Sequence, residues 1–169
     1  MPYRVCFVCS GNICRSPTAE AVLRRRLAGA GLSDRVVVDS AGLGDWHVGE
    51  GADERSAAAL RARGYPAWVH AAKQFTATDF ADRDLVVALD AGHERGLREM
   101  ARSEADQAKI RMLRTYDPGA ATDPAGLDVP DPYFGGGQGF EHVLDLVEAA
   151  CAGLLAEIEQ RLANGGPAR

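Results

Sequence analysis

A chain of 169 residues, 46% hydrophobic and 25% charged, suffices for one domain with a continuous core and leaves no room for a second. Its formal net charge of −5 and pI near 5.4 argue against a general nucleic-acid or anionic-membrane binder, while allowing a local basic rim. There is no signal-like opening and no apolar run of membrane-span length. Cysteines at 6, 9, 14 and 151 are too few for a secreted disulfide framework, so the expected compartment is the cytoplasm.

The first predicted strand is Arg4 to Cys9, where Val5, Phe7 and Val8 form an apolar run. It leads into Ser10, Gly11, Asn12, Ile13, Cys14 and Arg15, after which Ser16-Pro17 reads as an N-cap with proline at the first helical position. A loop feeding a helix N-terminus offers unpaired N–H groups and the positive end of the helix dipole. Residues Ser10 to Arg15 are therefore expected to encircle a phosphate. Cys9, at the base of that ring, sits in a potential that favours its nucleophilic thiolate, and Ser16 can donate a hydrogen bond to it. Arg15 adds a planar fork able to hold two phosphoryl oxygens at once. Asn12 tolerates the left-handed backbone that a tight anion loop requires.

In the helix that follows, Ala19, Leu23, Leu27 and Ala30 mark an apolar face and Arg24, Arg25 and Arg26 a solvated one. Further strands are expected at Arg35 to Ser40, Leu85 to Asp90 and Ile110 to Leu113. Helices are expected near Asp53 to Arg63, closed by Gly64, and near Gly92 to Arg102. The stretch from Tyr116 to Gly139, rich in proline, glycine and aspartate, reads as a long irregular loop of the kind that serves as a functional lid. The last helix carries Leu144, Val147, Cys151, Leu154, Ile158 and Leu162 at helical spacing, which assigns Cys151 to the core. The domain is expected to span 1–163, with 164–169 a flexible tail. Alternating strands and helices imply a parallel α/β sheet.

A phosphate ester needs a proton on its leaving oxygen, and a carboxylic acid held over the loop can supply it and then activate water. Asp117, Asp123, Asp128 and Asp131 all lie in the lid, and each is equally able to be a turn-forming aspartate. Pro132 biases Asp131 toward extended backbone, which suits an aimed side chain. His47, His93 and His142 are not spaced with cysteines or carboxylates as a metal site; a lone histidine is usually surface or core, and cysteine-based phosphoryl transfer needs no metal. Cys6 and Cys9 match C-x-x-C, but residues three apart on a strand face opposite sides, which weakens a thioredoxin-like reading.

The chain resembles the low-molecular-weight protein tyrosine phosphatases, in their bacterial form, over nearly its whole length. The likeness runs through Val5-Cys6-Phe7-Val8-Cys9, Gly11 to Pro17 and Ala19-Glu20. It continues through Asp39-Ser40-Ala41-Gly42, Asp45 to Gly49, His70 to Phe75, Leu85 to Asp90 and Val129 to Gly135. It implies a four-stranded parallel sheet flanked by helices on both faces, with the phosphate-binding loop after the first strand. It also implies hydrolysis of phosphotyrosine through a phosphocysteine intermediate, with Cys9 as nucleophile and Arg15 binding phosphate and stabilising the transition state. Among the lid carboxylates it singles out Asp131 as general acid and then base.

The same resemblance makes Trp46 and Tyr133 walls of the substrate cleft, leaving Trp68 structural, and has the Asn12 side chain held by bonds that include Ser40. It pairs Cys14 with Cys9 in a reversible disulfide that guards the nucleophile. His70 and Asp90 also match family positions, without an assigned chemistry. No cofactor is implied. Tyrosine-phosphorylated proteins are the expected partners, with no nucleic acid and no membrane, and the protein is expected to be a monomer or weak dimer.

Three alternatives share these residues. A protein arginine phosphatase typically carries threonine where this chain has Ile13. An arsenate reductase needs further redox cysteines, of which only Cys151 remains. A noncatalytic phosphotyrosine-binding module would need neither nucleophile nor acid. Phe134 stands where a second tyrosine often follows Tyr133, leaving one phosphorylatable residue in that motif.

Overall fold

Strand β1 (Tyr3–Cys9) has Val5, Cys6, Phe7 and Val8 fully buried, and a strand covered on both faces reads as a continuous apolar run rather than an alternation. The structure, a computed structural model, describes residues 1–124 and 126–165. β1 pairs in parallel with β2 (Val36–Gly42) on one side and β3 (Leu85–Ala88) on the other, and β4 (Ile110–Met112) joins β3. The result is a four-stranded parallel sheet of order β2-β1-β3-β4. The chain leaves β1 for β2 and later returns to its other side, so the carboxyl end of β1 is the switch point where such sheets hold ligands.

On one face Val5, Phe7 and Cys9 pack with α1 (Arg15–Gly29), α2 (Glu54–Ala62) and α5 (Gly137–Ala163). On the other, Cys6 and Val8 pack with Phe75, Phe80, Ile110 and the Leu97 side chain of α3 (Ala91–Met100). Cys6 and Cys9 thus lie in separate cores, as the period of a strand requires. Each fully buried Val or Phe contributes about 1.5–3 kcal/mol relative to exposure, so Val5, Phe7 and Val8 tie β1 into both cores. A short helix α4 (Glu104–Ala108), with no buried residue, leads into β4.

Several elements differ from the sequence expectations. Helix α1 begins two residues earlier than Ser16-Pro17 suggests: Cys14 is its N-cap and Ser16 lies inside the first turn. The physical reason is that the Ser16 hydroxyl is engaged elsewhere, as described below, while Pro17 still falls where a missing N–H costs nothing. Ala30 is exposed at the end of the helix, and Val22 takes its place in the core. The three arginines are not simply solvated. Arg24 pairs with Glu20, Arg25 stacks on Tyr65 and Arg26 donates to the Glu148 carbonyl.

The predicted lid is more ordered than its composition suggests. Two 3₁₀ turns, Leu113–Tyr116 and Pro118–Thr122, open it, and α5 begins within its last residues. Arg114, 2% exposed, accounts for this order. Its guanidinium donates to Asp117, Asp123 and the Gly126 carbonyl, and a buried cation so satisfied fixes the backbone around it. Gly153 lets α5 cross the first of these turns, since any side chain there would collide with the Tyr116 carbonyl. Cys151 is fully buried on the same helix. Of the expected tail, residues 166–169 lie outside those described.

Candidate active site

The chain turns out of β1 at Cys9, and β2 and the loop after it receive that turn. Leu43 N–H donates to the Cys9 carbonyl and Gly44 N–H to that of Ser10. A side chain at Gly42 would sit 2.8 Å from the Ser10 carbonyl oxygen, so only glycine lets the two backbones approach this closely. The first turn of α1 has no side-chain cap and no acidic residue, which leaves its N–H groups free for an anion.

Asn12 is the hub of the loop. Its φ of 61° makes it the one non-glycine residue with positive φ among those described. A left-handed asparagine costs about 1–2 kcal/mol unless local bonds hold it. Here Nδ2 donates to Ser16 Oγ at 2.8 Å and Ser40 Oγ at 2.9 Å, Oδ1 accepts from Lys73 N–H at 3.0 Å, and the carbonyl accepts from His70 Nε2 at 2.7 Å. Ser40, inside β2, donates its own hydroxyl hydrogen bond to Glu20 at 2.7 Å. Ser16 accepts from Asn12, so its single proton is left for Cys9 Sγ at 2.9 Å, with the Ala41 carbonyl a weaker competitor at 3.4 Å. A hydroxyl so oriented stabilises a thiolate.

Arg15 is 4% exposed, and its Nη1 donates to Asp90 Oδ2 at 2.8 Å and to the Val129 carbonyl at 2.9 Å. Burial opposes ionisation of Asp90, yet the His93 backbone N–H, the His93 ring and the Arg15 guanidinium outweigh it and hold the carboxyl below its usual range. Asp90 is therefore an anionic anchor for Arg15 at the N-cap of α3.

The four lid carboxylates separate by their partners. Asp117 and Asp123 are bound to Arg114, and Asp128 accepts from the Ala91 N–H. Asp131 alone overhangs the loop, half-exposed, with Oδ1 accepting from Tyr133 N–H and Oδ2 3.7 Å from Arg15 Nη2. Together Cys9, Arg15 and Asp131 line a cleft of about 350 Å³ with Ile13 and Cys14.

Trp46 and Tyr133 stand at its mouth, Trp46 being 70% exposed. Gly44 makes room for the Trp46 ring, and Arg55 stacks on both Tyr133 and Phe140, tying the Tyr133 wall to α2 and α5. Phe134, 90% exposed, extends the apolar rim. Burial, and behind it the charge of Asp53, pushes the Cys14 thiol up to about 12 despite a hydrogen bond with Ser56. Trp68 is half-buried against the core, away from the cleft.

Several residues of this site carry no assigned chemistry from the sequence. His70, Glu20 and Asp90 lie in segments that carry the family likeness, but their partners are 58, 20 and 75 residues away along the chain, so spacing could not reveal them. His47 covers Gly11 and pairs with Glu50 at the cleft mouth. Among the described residues no three histidine, cysteine, aspartate or glutamate side chains cluster as metal ligands, and no helix is long and apolar enough to cross a membrane.

A thiol, a buried arginine and a loop of free amides at the end of β1 define a cysteine-dependent phosphatase fold. The family model for low molecular weight phosphotyrosine protein phosphatase matches residues 4–164, and the chain belongs to that family. A low molecular weight protein-tyrosine-phosphatase of Streptomyces coelicolor is 58% identical over 96% of this chain and 97% of its own. The crystal structure of YfkJ from Bacillus subtilis superposes with a TM-score of 0.86 at 38% identity, covering 95% of this chain and 97% of that one. A solved Drosophila arginine phosphatase does so with a TM-score of 0.81 at 32% identity, covering 91% and 96%.

Proposed function

We propose that this protein hydrolyses phosphotyrosine on proteins through a phosphocysteine intermediate. The convergence of Cys9 Sγ, the Arg15 guanidinium and the Asp131 carboxyl on one cleft carries this reading. The phenyl ring passes between Trp46 and Tyr133, and the phosphoryl oxygens settle among the loop amides and Arg15. Cys9 thiolate attacks phosphorus in line, forming the S–P bond as the P–O bond to the ring breaks. Asp131 gives its proton to the departing phenolate oxygen. Asp131, now a carboxylate, takes a proton from water. The water oxygen attacks phosphorus and the S–P bond breaks, returning the thiolate to the hydrogen bond of Ser16 and releasing phosphate.

A loop floor set below Trp46 and Tyr133 would let a long aryl phosphate reach Cys9 and leave phosphoserine short. The fold does not separate phosphotyrosine from phosphoarginine, whereas Ile13 in the loop, apolar where threonine is typical of arginine phosphatases, favours the former. Turnover of peptides bearing phosphotyrosine, phosphoserine or phosphoarginine tests the reading, with arsenate reduction as a fourth arm. Phosphotyrosine is expected to react at least about 10²-fold faster by kcat/KM. Preference for phosphoarginine, or reduction of arsenate, would overturn it. Binding of phosphotyrosine without turnover would make the protein a recognition module instead.

Cys14 supports a second element of the same reading, a resolving thiol for Cys9. Both face the cleft and neither is in a disulfide. With its thiol pushed up to about 12, Cys14 stays largely protonated near neutral pH and leaves attack on phosphorus to Cys9. It is called on only once peroxide has made Cys9 an electrophilic sulfenic acid, from which it displaces water to form the disulfide. After brief peroxide treatment, peptide mapping should recover a Cys9–Cys14 disulfide, and dithiothreitol should restore activity. In Cys14→Ser, peroxide should instead cause permanent loss; equal recovery of both proteins would rule out the guard.

A further inference from the structure

Helix α3 starts where Asp90 caps it, and the cap sets His93 in its first turn against the phosphate loop. The residue is 3% exposed. Its Nε2 lies 2.9 Å from Ser10 Oγ and 3.4 Å from Arg15 Nη2. Its Nδ1 is 3.2 Å from Asp90 Oδ1, off the line of a well-formed hydrogen bond, and meets no other partner among the described residues.

These neighbours decide where the ring proton sits. A guanidinium nitrogen only donates, so Nε2 must present its lone pair to Arg15. The proton then resides on Nδ1, beside a carboxylate that only accepts. Ser10, whose hydroxyl rotates freely, donates to the same Nε2 lone pair. Protonating the ring would aim an N–H at Arg15. Consistently, burial first and the Arg15 charge second push His93 down to about 4, against the pull of Asp90, Asp131 and Asp128.

We infer that His93 is a positioning residue: its Nε2 lone pair holds the Ser10 hydroxyl and one edge of Arg15, so that loop and guanidinium are arranged for the phosphoryl oxygens before substrate arrives. Donors fixed in advance spend no reorganisation energy during reaction. Asp90 and the Val129 carbonyl anchor Nη1, whereas among the described residues His93 is the hydrogen-bond partner that holds Nη2 against the nearby Asp131 carboxyl. Without the imidazole, Nη2 closes on Asp131 and engages both the phosphate-binding group and the general acid. A purely apolar side chain fills the space but cannot prevent this.

The inference rests on the phosphatase reading above, and the test separates the two. His93→Leu removes the acceptor and keeps the bulk, whereas His93→Gln can place its side-chain oxygen near the Nε2 position. With a phosphotyrosine peptide, His93→Leu is expected to lose roughly 10–100-fold in kcat/KM through both kcat and KM, and His93→Gln to recover to within about fivefold of wild type. Inorganic phosphate, titrated directly by calorimetry, should bind His93→Leu about tenfold more weakly. In ¹⁵N spectra of the wild-type ring, the proton should be on Nδ1.

Wild-type kcat and phosphate affinity in a folded His93→Leu protein would overturn the inference, as would glutamine failing as badly as leucine. Should His93→Leu not fold, a ring proton on Nε2 in the wild type would overturn it equally. Phosphate affinity is read without turnover. A wild type that binds phosphate but hydrolyses nothing would therefore sink the phosphatase reading and leave the role of His93 to the binding data.

Discussion

Replacing Cys9 with serine is expected to lower phosphotyrosine turnover by at least about 10⁴-fold while leaving phosphate affinity within a few-fold of wild type. The loop amides and Arg15 hold the anion, so binding survives. Attack does not, because a serine hydroxyl stays protonated near neutral pH while Asp131 must itself carry a proton for the leaving group in that step. The nearest hydroxyl is Ser16, which donates toward position 9 rather than accepting from it. No other thiol can substitute, since Cys14 is protonated and Cys6 and Cys151 are fully buried. Single-turnover kinetics on a phosphotyrosine peptide, with acid quench to trap a phosphoenzyme, measures this. A Cys9→Ser protein within tenfold of wild type would place the nucleophile elsewhere.

The second large effect belongs to Asp131. Asp131→Asn keeps an oxygen able to accept from Tyr133 N–H, so the turn that carries it should persist. What it loses is the proton. A fall of about 10²–10⁴-fold in kcat is expected for phenyl phosphate, whose leaving group needs protonation, and a much smaller one for aryl phosphates whose phenols are strong acids. Phosphate affinity should change little or rise, since a negative charge near Arg15 is removed. A rate loss that is the same for every leaving group would show that Asp131 does not act as the acid. Asp128 is the natural control: it accepts from the Ala91 N–H at the start of α3, so Asp128→Asn should affect stability more than the leaving-group dependence.

Much of the site was legible because its parts are close in sequence and their chemistry is local. Cys9, Arg15 and the loop between them follow a buried strand directly, and the run from strand to helix makes the anion site almost unavoidable. Asn12 could be marked as the left-handed residue from its side chain alone, and its φ of 61° agrees. The helix boundary was misread for an equally physical reason: Ser16 looks like a cap until its hydroxyl is seen spent on Asn12 and Cys9. The lid is irregular over much of its length, as its composition predicts, but proline, glycine and aspartate do not show that a buried arginine such as Arg114 gathers it.

What the sequence by itself determined was the nature of the catalytic loop and the α/β layering that exposes it at the end of the central strand. Periodicity and the chemistry of adjacent residues carry both. The residues alone left four lid aspartates open until the family resemblance singled out Asp131; only the tertiary structure decided what those aspartates bind, what anchors Arg15, and which histidines touch the loop. Those choices depend on contacts between segments 58 to 114 residues apart, such as His70 with Asn12 and Arg15 with Val129. No local pattern encodes such contacts. They are fixed when the parallel sheet closes and brings the ends of β1, β2 and β3 to one edge, where side chains that look ordinary in the sequence become partners of the same phosphate loop.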